Sequence, residues 1–149
     1  MKINRNINTT ILTDDNTSVL ELLNEEIIIN NIEELKEYKT DFLVFNDVLR
    51  SLTTKEKETL FSNMESRNIH FINITSNLEE CLYAHEIIVI QNRKEIVKGS
   101  SLSVLKEERL LKRLGYKLPF IVDLSLQLNA YGLIDSIFLD EEILVNKLW

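Results

Sequence analysis

The twelve residues FLVFNDVLRSLT, positions 42–53, indicate the fold of this chain. Four apolar residues run without alternation into two short polar ones, Asn46 and Asp47. Such a continuous run is typical of a strand that helices cover on both faces of a parallel sheet. A carboxylate just after such a strand is where many nucleotide hydrolases hold magnesium. Because the first polar residue here is an amide, two alternatives arise: a working ATPase edge, or the remnant of one.

Segments of both kinds surround this strand. Strand-type runs lie at 9–12, 26–30, 69–74, 86–91 and 95–99, and helix-type segments lie at 17–24, 32–38, 53–67 and 77–85. Asn16 or Thr17 is expected to cap the first helix. From Ser100 on, everything except 136–139 has a helical pattern. The alternation predicts an α/β sandwich with a mostly parallel sheet. We divide it into a core, residues 1–99, and a helical C-terminal tail, residues 100–149.

Composition excludes several classes of protein. The 149 residues are enough for one domain with a substantial core. A net charge of −7 opposes binding to nucleic acid, which needs a basic face. The single cysteine, Cys81, cannot form an internal disulfide, so we expect a cytoplasmic location. No apolar run approaches the roughly 20 residues that span a bilayer, so direct membrane insertion is not expected.

Four stretches resemble one family of transport proteins. NITSNLEECLYAHEIIVIQNRKEIVKGS, residues 73–100, resembles the part of an ABC-transporter ATPase that follows its catalytic carboxylate. LLKRLGYKLPFIVDLSLQLNAYGLI, residues 110–134, resembles the C-terminal extension of the ATPases in energy-coupling-factor importers for cobalt and vitamins. TTILTDDNTSVLELLN at 9–24 resembles the strand, phosphate loop and helix that open such a domain, and EIIINN at 26–31 resembles the hairpin that follows.

The resemblance implies a core of the P-loop NTPase type from which large parts are missing. The family's glutamine loop, helical subdomain and signature motif would lie between Asn31 and Asp41, where this chain has no room for them. The counterpart of the phosphate loop is TDDNTS, which has neither the glycines nor the lysine that bind phosphate. Only the hydroxyls of Thr17 and Ser18 remain, and Asp14 and Asp15 bring negative charge to the place of the triphosphate.

The catalytic positions implied by the resemblance have also changed. Asn46 and Asp47 correspond to the family's magnesium-associated aspartate and catalytic glutamate. Ser76 corresponds to its switch histidine and Asn77 to the residue after that histidine. Thr53 corresponds to the aspartate of the following loop. We therefore predict that this edge is a remnant without catalytic residues, bound metal or cofactor.

Other residues that suggest chemistry have simpler explanations. His70 and His85 stand alone, whereas a metal site needs further ligands at suitable spacing. Cys81 is expected to be a small buried residue. Asp14 and Asp15 could form a cation site, but we favour a pair of helix-start residues stabilised by the helix dipole.

The tail is expected to form an interface. In the resembled importers the C-terminal extension helps to pair two ATPases. A stripe at helical spacing, followed by apolar residues of the last helix, provides the candidate residues: Phe120, Ile121, Leu124, Leu128, Tyr131, Leu148 and Trp149. The sequence therefore predicts a homodimer whose identical tails meet about a two-fold axis.

The function expected from these features is that of a non-catalytic, ABC-ATPase-like protein. It would act as an assembly or regulatory partner related to energy-coupling-factor transporters, reaching the inner face of the membrane through a partner. An intact ABC ATPase and a membrane subunit are the candidate partners. Two alternatives stay open: an ATP-binding or ATPase subunit completed by a second chain, and an α/β binding module for an unrelated ligand.

Overall fold

The computed structural model describes residues 2–24, 27–37 and 39–148. Its strands are β1 (Thr9–Leu12), β2 (Ile28–Ile29), β3 (Phe42–Asn46), β4 (His70–Thr75), β5 (Glu86–Gln91) and β6 (Lys94–Ser100). Its α-helices are α1 (Asn16–Leu23), α2 (Thr54–Ser66), α3 (Ser101–Leu105), α4 (Glu108–Arg113), α5 (Phe120–Ala130) and α6 (Glu141–Leu148). Three 3₁₀ turns complete the described elements: Ile32–Glu37, Leu49–Ser51 and Leu78–Tyr83.

The six strands form one sheet in the order β2-β3-β4-β1-β5-β6. Every neighbouring pair is parallel except β5 and β6, which form an antiparallel hairpin. The predicted α/β fold with a mostly parallel sheet is therefore confirmed. Since β1 to β4 run the same way, their carboxyl ends meet at one edge of the sheet, which we call the carboxyl edge.

Helices cover both faces of the sheet, which explains the continuous apolar runs. On one face, Val19 of α1 packs against a cluster that includes Val44, Ile72 and Ile88. On the other face, Met64 of α2 packs with Phe45 and Phe71 in a second cluster. Neighbouring residues of β3 thus point to opposite faces, and both faces are buried.

The tail packs on the same face as α2. Leu12, Ile87 and Val89 of the sheet share a cluster with Val104 of α3 and Val122 of α5. The same cluster contains Leu111 of α4 and Leu144 of α6. The helices of residues 101–148 are therefore held to the sheet by a common hydrophobic core.

Four local expectations need correction. Asp15, and not Asn16 or Thr17, caps α1, because its carboxylate accepts the Ser18 backbone N–H. The segments at 32–37 and 78–83 are 3₁₀ turns, each only six residues long. Strand β2 lies parallel to β3 and forms no hairpin with the preceding segment, because its pairing partner comes later in the chain. Only Ile28 and Ile29 of the predicted strand at 26–30 are assigned to it, and Glu26 lies outside the described residues.

Candidate functional site at the carboxyl edge

Backbone hydrogen bonds join the loops that follow β1, β3 and β4. The Thr13 N–H donates to the Thr75 carbonyl at 2.9 Å, and the Asp47 N–H donates to the Ile74 carbonyl at 2.9 Å. These bonds extend the sheet by one residue at the carboxyl edge. They bring the loops of residues 13–18, 46–50 and 75–77 together.

The first of these loops ends in a closed helix cap. One carboxylate oxygen of Asp15 accepts the Ser18 backbone N–H at 3.2 Å, and the other accepts the Ser18 hydroxyl at 2.5 Å. The Asp15 N–H donates to the Thr13 hydroxyl oxygen at 3.1 Å. The side chain thus satisfies one of the free N–H groups with which every helix begins.

The cap fixes the charge state and the shape of the loop. Hydrogen bonds from the Ser18 hydroxyl and then from the Ser18 backbone hold the pKa of Asp15 below its ordinary value of 3.8. Asp15 is therefore anionic at neutral pH. The described backbone from Thr13 to Ser18 contains no residue with positive φ. The loop consequently needs no glycine, in contrast to a loop that wraps around phosphate.

Three asparagine amides form a chain of hydrogen bonds across this edge. The Asn16 amide donates to the Asn46 side-chain oxygen at 3.1 Å. The Asn46 amide in turn donates to the Asn30 side-chain oxygen at 2.8 Å. These bonds link the start of α1, the end of β3 and the residue after β2. Asn46 must be an amide in this arrangement, because it donates on one side and accepts on the other.

Asp47, the only carboxylate in the loop of residues 46–50, is held by its neighbours. Its backbone has a φ of 54°, a left-handed conformation that aspartate tolerates better than most residues. One carboxylate oxygen forms a 2.9 Å ion pair with Arg50. The other oxygen is buried and has no hydrogen-bond partner among the described residues. The Asp47 side chain is 24% exposed and Arg50 is 61% exposed, so the pair is well hydrated and contributes little to stability.

A polar cavity of about 400 Å³ opens between these loops. Its lining residues are Thr13, Asp14, Asp15, Asn16, Thr17, Asp47, Arg50 and Ser76. The predicted residues Asp14, Asp15, Thr17, Asp47 and Ser76 therefore meet in one place. Ser18 is bound in the cap, and Asn46 is engaged by its two asparagine neighbours. The lining carries three carboxylates against one guanidinium, so the cavity is net negative.

The remaining positions matched by the resemblance have local structural roles. Thr53 caps α2 in a capping box: its hydroxyl accepts the Glu56 N–H at 3.2 Å, and the Glu56 carboxylate accepts the Thr53 N–H at 3.1 Å. Asn77 caps the 3₁₀ turn of residues 78–83 by accepting the Glu79 N–H at 3.1 Å. Both residues therefore begin a helical segment.

The histidines and the cysteine lie away from the carboxyl edge. His85 accepts the Asn8 N–H through Nδ1 at 3.0 Å, and His70 Nδ1 is 3.2 Å from the Asn8 side-chain oxygen. Both contacts lie near the beginning of β1, at the opposite edge of the sheet. Cys81 is fully buried, and this burial raises the pKa of its thiol. Over residues 2–24, 27–37 and 39–148, no group of three histidine, cysteine or acidic side chains could hold a metal ion.

Sequence reasoning missed Asn30 and Arg50. Asn30 follows β2 and joins the amide chain only because β2 lies beside β3, an arrangement that the expected hairpin excluded. Arg50 comes four residues after the end of the strand and turns back to Asp47 through the 3₁₀ turn at 49–51. Polar residues that end adjacent parallel strands were the available signal for Asn30.

Comparison with known proteins supports the resemblance. The chain is 31% identical over 93 residues to the energy-coupling factor transporter ATP-binding protein EcfA1 of Listeria monocytogenes serotype 4b. This alignment covers 62% of this chain and 33% of the relative. It is 28% identical over 140 residues to EcfA1 of Bacillus subtilis, covering 93% of this chain and 40% of that protein. With EcfA1 of Lactobacillus delbrueckii subsp. bulgaricus the identity is 27% over 117 residues, or 74% of this chain and 41% of the relative.

A solved structure is also similar: cbiO1 from Clostridium perfringens, described as part of the ABC transporter complex cbiONQ. Its TM-score is 0.40 at 15% identity, over 50% of this chain and 32% of the other. No family model matches the chain.

The chain is thus similar, over part of their length, to energy-coupling factor transporter ATP-binding proteins. It spans between a third and about two fifths of the curated relatives that it matches. Between Asn31 and Asp41, the described residues form the single 3₁₀ turn Ile32–Glu37. Among the described helices, none is both long enough and apolar enough to cross a bilayer.

The amide chain predicts the effect of restoring a carboxylate at the end of β3. Asn46→Asp keeps the acceptor for Asn16 but replaces the donor to Asn30 by a second oxygen at a 2.8 Å contact. We expect this variant to be less stable by about 1–3 kcal/mol in urea denaturation at pH 7.

Asn30→Asp is the matched control. It adds the same charge one side chain away and keeps the oxygen that accepts the Asn46 amide. We expect its stability to change by less than about 0.5 kcal/mol. Equal losses in the two variants, or a gain of stability in Asn46→Asp, would show that the donor of Asn46 is unimportant.

Proposed function

We propose that this chain is a non-catalytic, ABC-ATPase-like protein that acts as an assembly or regulatory partner and associates with itself through its tail. The observation that carries the proposal is the cap of α1. A phosphate group binds a P-loop through backbone N–H groups at the start of the following helix. Here the Asp15 carboxylate already accepts the Ser18 N–H, so one of the N–H groups that a phosphate would need is engaged within the chain.

Charge and backbone shape support the same proposal. The cavity is lined by Asp14, Asp15 and Asp47 against Arg50 alone, so a triphosphate would meet net repulsion. The loop has no lysine to replace the missing attraction. With Asn46 engaged on both sides, the last residue of β3 offers magnesium only an amide oxygen that already accepts a hydrogen bond.

The role of a partner rests on the kind of protein that the relatives are. They are named as ATP-binding proteins of energy-coupling factor transporters. A homologue with the sheet and the tail but without the phosphate loop keeps surfaces for association with other proteins. It lacks the residues that bind and hydrolyse ATP. An intact ABC ATPase and a transporter membrane subunit are the partners that we propose, and contact with them would bring this chain to the inner face of the membrane.

The nucleotide test of the proposal is isothermal titration calorimetry with ATP and magnesium at pH 7. We expect no binding tighter than about 100 µM, which corresponds to roughly 5.5 kcal/mol. Asp15→Asn is the matched variant, because it removes the charge and keeps a side-chain oxygen that can accept the Ser18 N–H. We expect it to bind no better, since glycine and lysine are still absent. Magnesium-dependent binding by the natural chain would instead favour an ATP-binding subunit completed by a second chain.

The outer face of α5 is the part of the tail that supports self-association. Phe120 and Tyr131 are eleven residues apart, which is three helical turns and about 16 Å, so they lie on one face. Phe120 is 66% exposed and Tyr131 is 82% exposed. Leu124 lies between them and is half-buried. Two such faces meeting about a two-fold axis would cover large aromatic surfaces that are exposed in one chain.

The predicted stripe is thereby revised. Ile121 is only 4% exposed and packs in the chain's own core, because Ile121, Val122 and Ser125 form the inner face of α5. Leu124 and Leu128 are partly buried against the same core. Leu148 is 44% exposed and stays in the proposed interface, whereas Trp149 lies outside the described residues.

We expect light scattering at tens of micromolar to give a mass twice the 17.4 kDa of one chain. Phe120→Glu with Tyr131→Glu should give a folded monomer, because both side chains are exposed and charge repels charge across a two-fold axis. Leu22→Glu is the control: Leu22 is 43% exposed on α1, outside the tail, and its replacement should leave the dimer intact. A monomeric natural chain, or equal dissociation in the control, would refute the interface.

A further inference from the structure

A second cavity lies away from the carboxyl edge, between α2 and the 3₁₀ turn Ile32–Glu37. Its volume is about 630 Å³, and we call it the α2 groove. Its floor is apolar and consists of Ile32, Leu35, Leu52 and Leu60. All four side chains are partly buried and pack against the cluster of Phe45 and Phe71. The floor of the groove is therefore formed by partly exposed side chains at the border of the hydrophobic core.

The lining residues of α2 define the shape of the groove. They recur at helical spacing from the residue before the cap to the residue after the last turn: Leu52, Thr53, Lys55, Glu56, Thr59, Leu60, Asn63 and Arg67. This stripe accompanies all thirteen residues of α2, a length of about 20 Å. A groove that follows a helix over this distance has the length of an amphipathic helix of three to four turns.

The rim of the α2 groove carries positive charge that the described residues leave unpaired. Lys36, Lys55 and Arg67 line it, and no described acidic side chain forms an ion pair with any of them. The lining also contains the carboxylates of Glu33 and Glu56, of which Glu56 accepts the Thr53 N–H, so three cations face two carboxylates. Local cations on a chain of net charge −7 favour a partner with acidic groups at this position.

We propose that the α2 groove binds an amphipathic helix of a partner protein, with an apolar stripe toward Leu35 and Leu60 and acidic residues flanking the stripe. The apolar stripe would cover the partly buried floor, and the acidic residues would pair with the three rim cations. The groove shares no lining residue with the cavity at the carboxyl edge, so a bound helix would not occupy that cavity. It is also separate from the outer face of α5.

Two synthetic peptides test the charge of the partner. Both are fluorescently labelled helices of about fourteen residues with leucine at i, i+3, i+4 and i+7; one carries glutamate beside the stripe and the other carries lysine at the same positions. Fluorescence anisotropy should show that the full chain binds the acidic peptide at least about tenfold more tightly than the basic one. Equal affinities, or no binding of either peptide up to about 1 mM, would overturn the proposal.

Charge reversal in the chain locates the binding site. Lys36→Glu with Lys55→Glu should weaken binding of the acidic peptide by about tenfold or more and improve binding of the basic one. Lys57→Glu is the matched control, because Lys57 is on the same helix but does not line the groove. The affinity of the Lys57→Glu variant for the acidic peptide should stay within about twofold of the affinity of the natural chain. If Lys57→Glu weakens peptide binding as much as the double variant does, the effect comes from overall charge, and the α2 groove is not the binding site.

Discussion

The hydrogen bonds from Ser18 to the Asp15 carboxylate determine the character of the carboxyl edge. In a nucleotide-binding loop, the backbone N–H groups at the start of the helix bind the phosphate of a ligand. In this chain the anion is part of the polypeptide, and the loop between Thr13 and Ser18 follows ordinary backbone conformations without glycine. The negative charge that stabilises the helix is the charge that would repel a triphosphate. A stable α1 and the proposed loss of nucleotide binding therefore have the same cause.

Other side chains at the carboxyl edge are also engaged in hydrogen bonds within the chain. Asn46 links the start of α1 to the end of β2, a task that needs both a donor and an acceptor. An aspartate at this position would bind magnesium more strongly, but it could not donate the hydrogen bond to Asn30. Thr53 and Asn77 begin helical segments at positions where the resemblance places other residues. Each of these side chains forms a local hydrogen bond, whereas one buried oxygen of Asp47 has no hydrogen-bond partner among the described residues.

The sequence predicted the strands well because their apolar runs are continuous and the sheet is covered on both faces. Prediction from the sequence failed where several residues or arrangements fit the same sequence pattern equally well. Asp15, Asn16 and Thr17 are all good helix caps, and only the three-dimensional path of the loop selects Asp15. A run of isoleucines cannot reveal whether β2 pairs with an earlier or a later segment. In α5 the run FIVDLSLQL is apolar on more than one side, so helical spacing alone did not show that Ile121 faces inward.

Most residues of the candidate site were predictable from the sequence, except Asn30 and Arg50, but the hydrogen bonds among them were not. The resemblance placed Asp14, Asp15, Asp47 and Ser76 at one edge, and the cavity unites them. The most direct measurement is the nuclear magnetic resonance spectrum of the backbone amides of Thr17 and Ser18 during titration with magnesium and ATP at pH 7. If the Asp15 carboxylate occupies the helix start, the Ser18 resonance stays unchanged at millimolar nucleotide. A saturable shift of both amides would show that phosphate displaces the cap and would contradict the proposed loss of nucleotide binding.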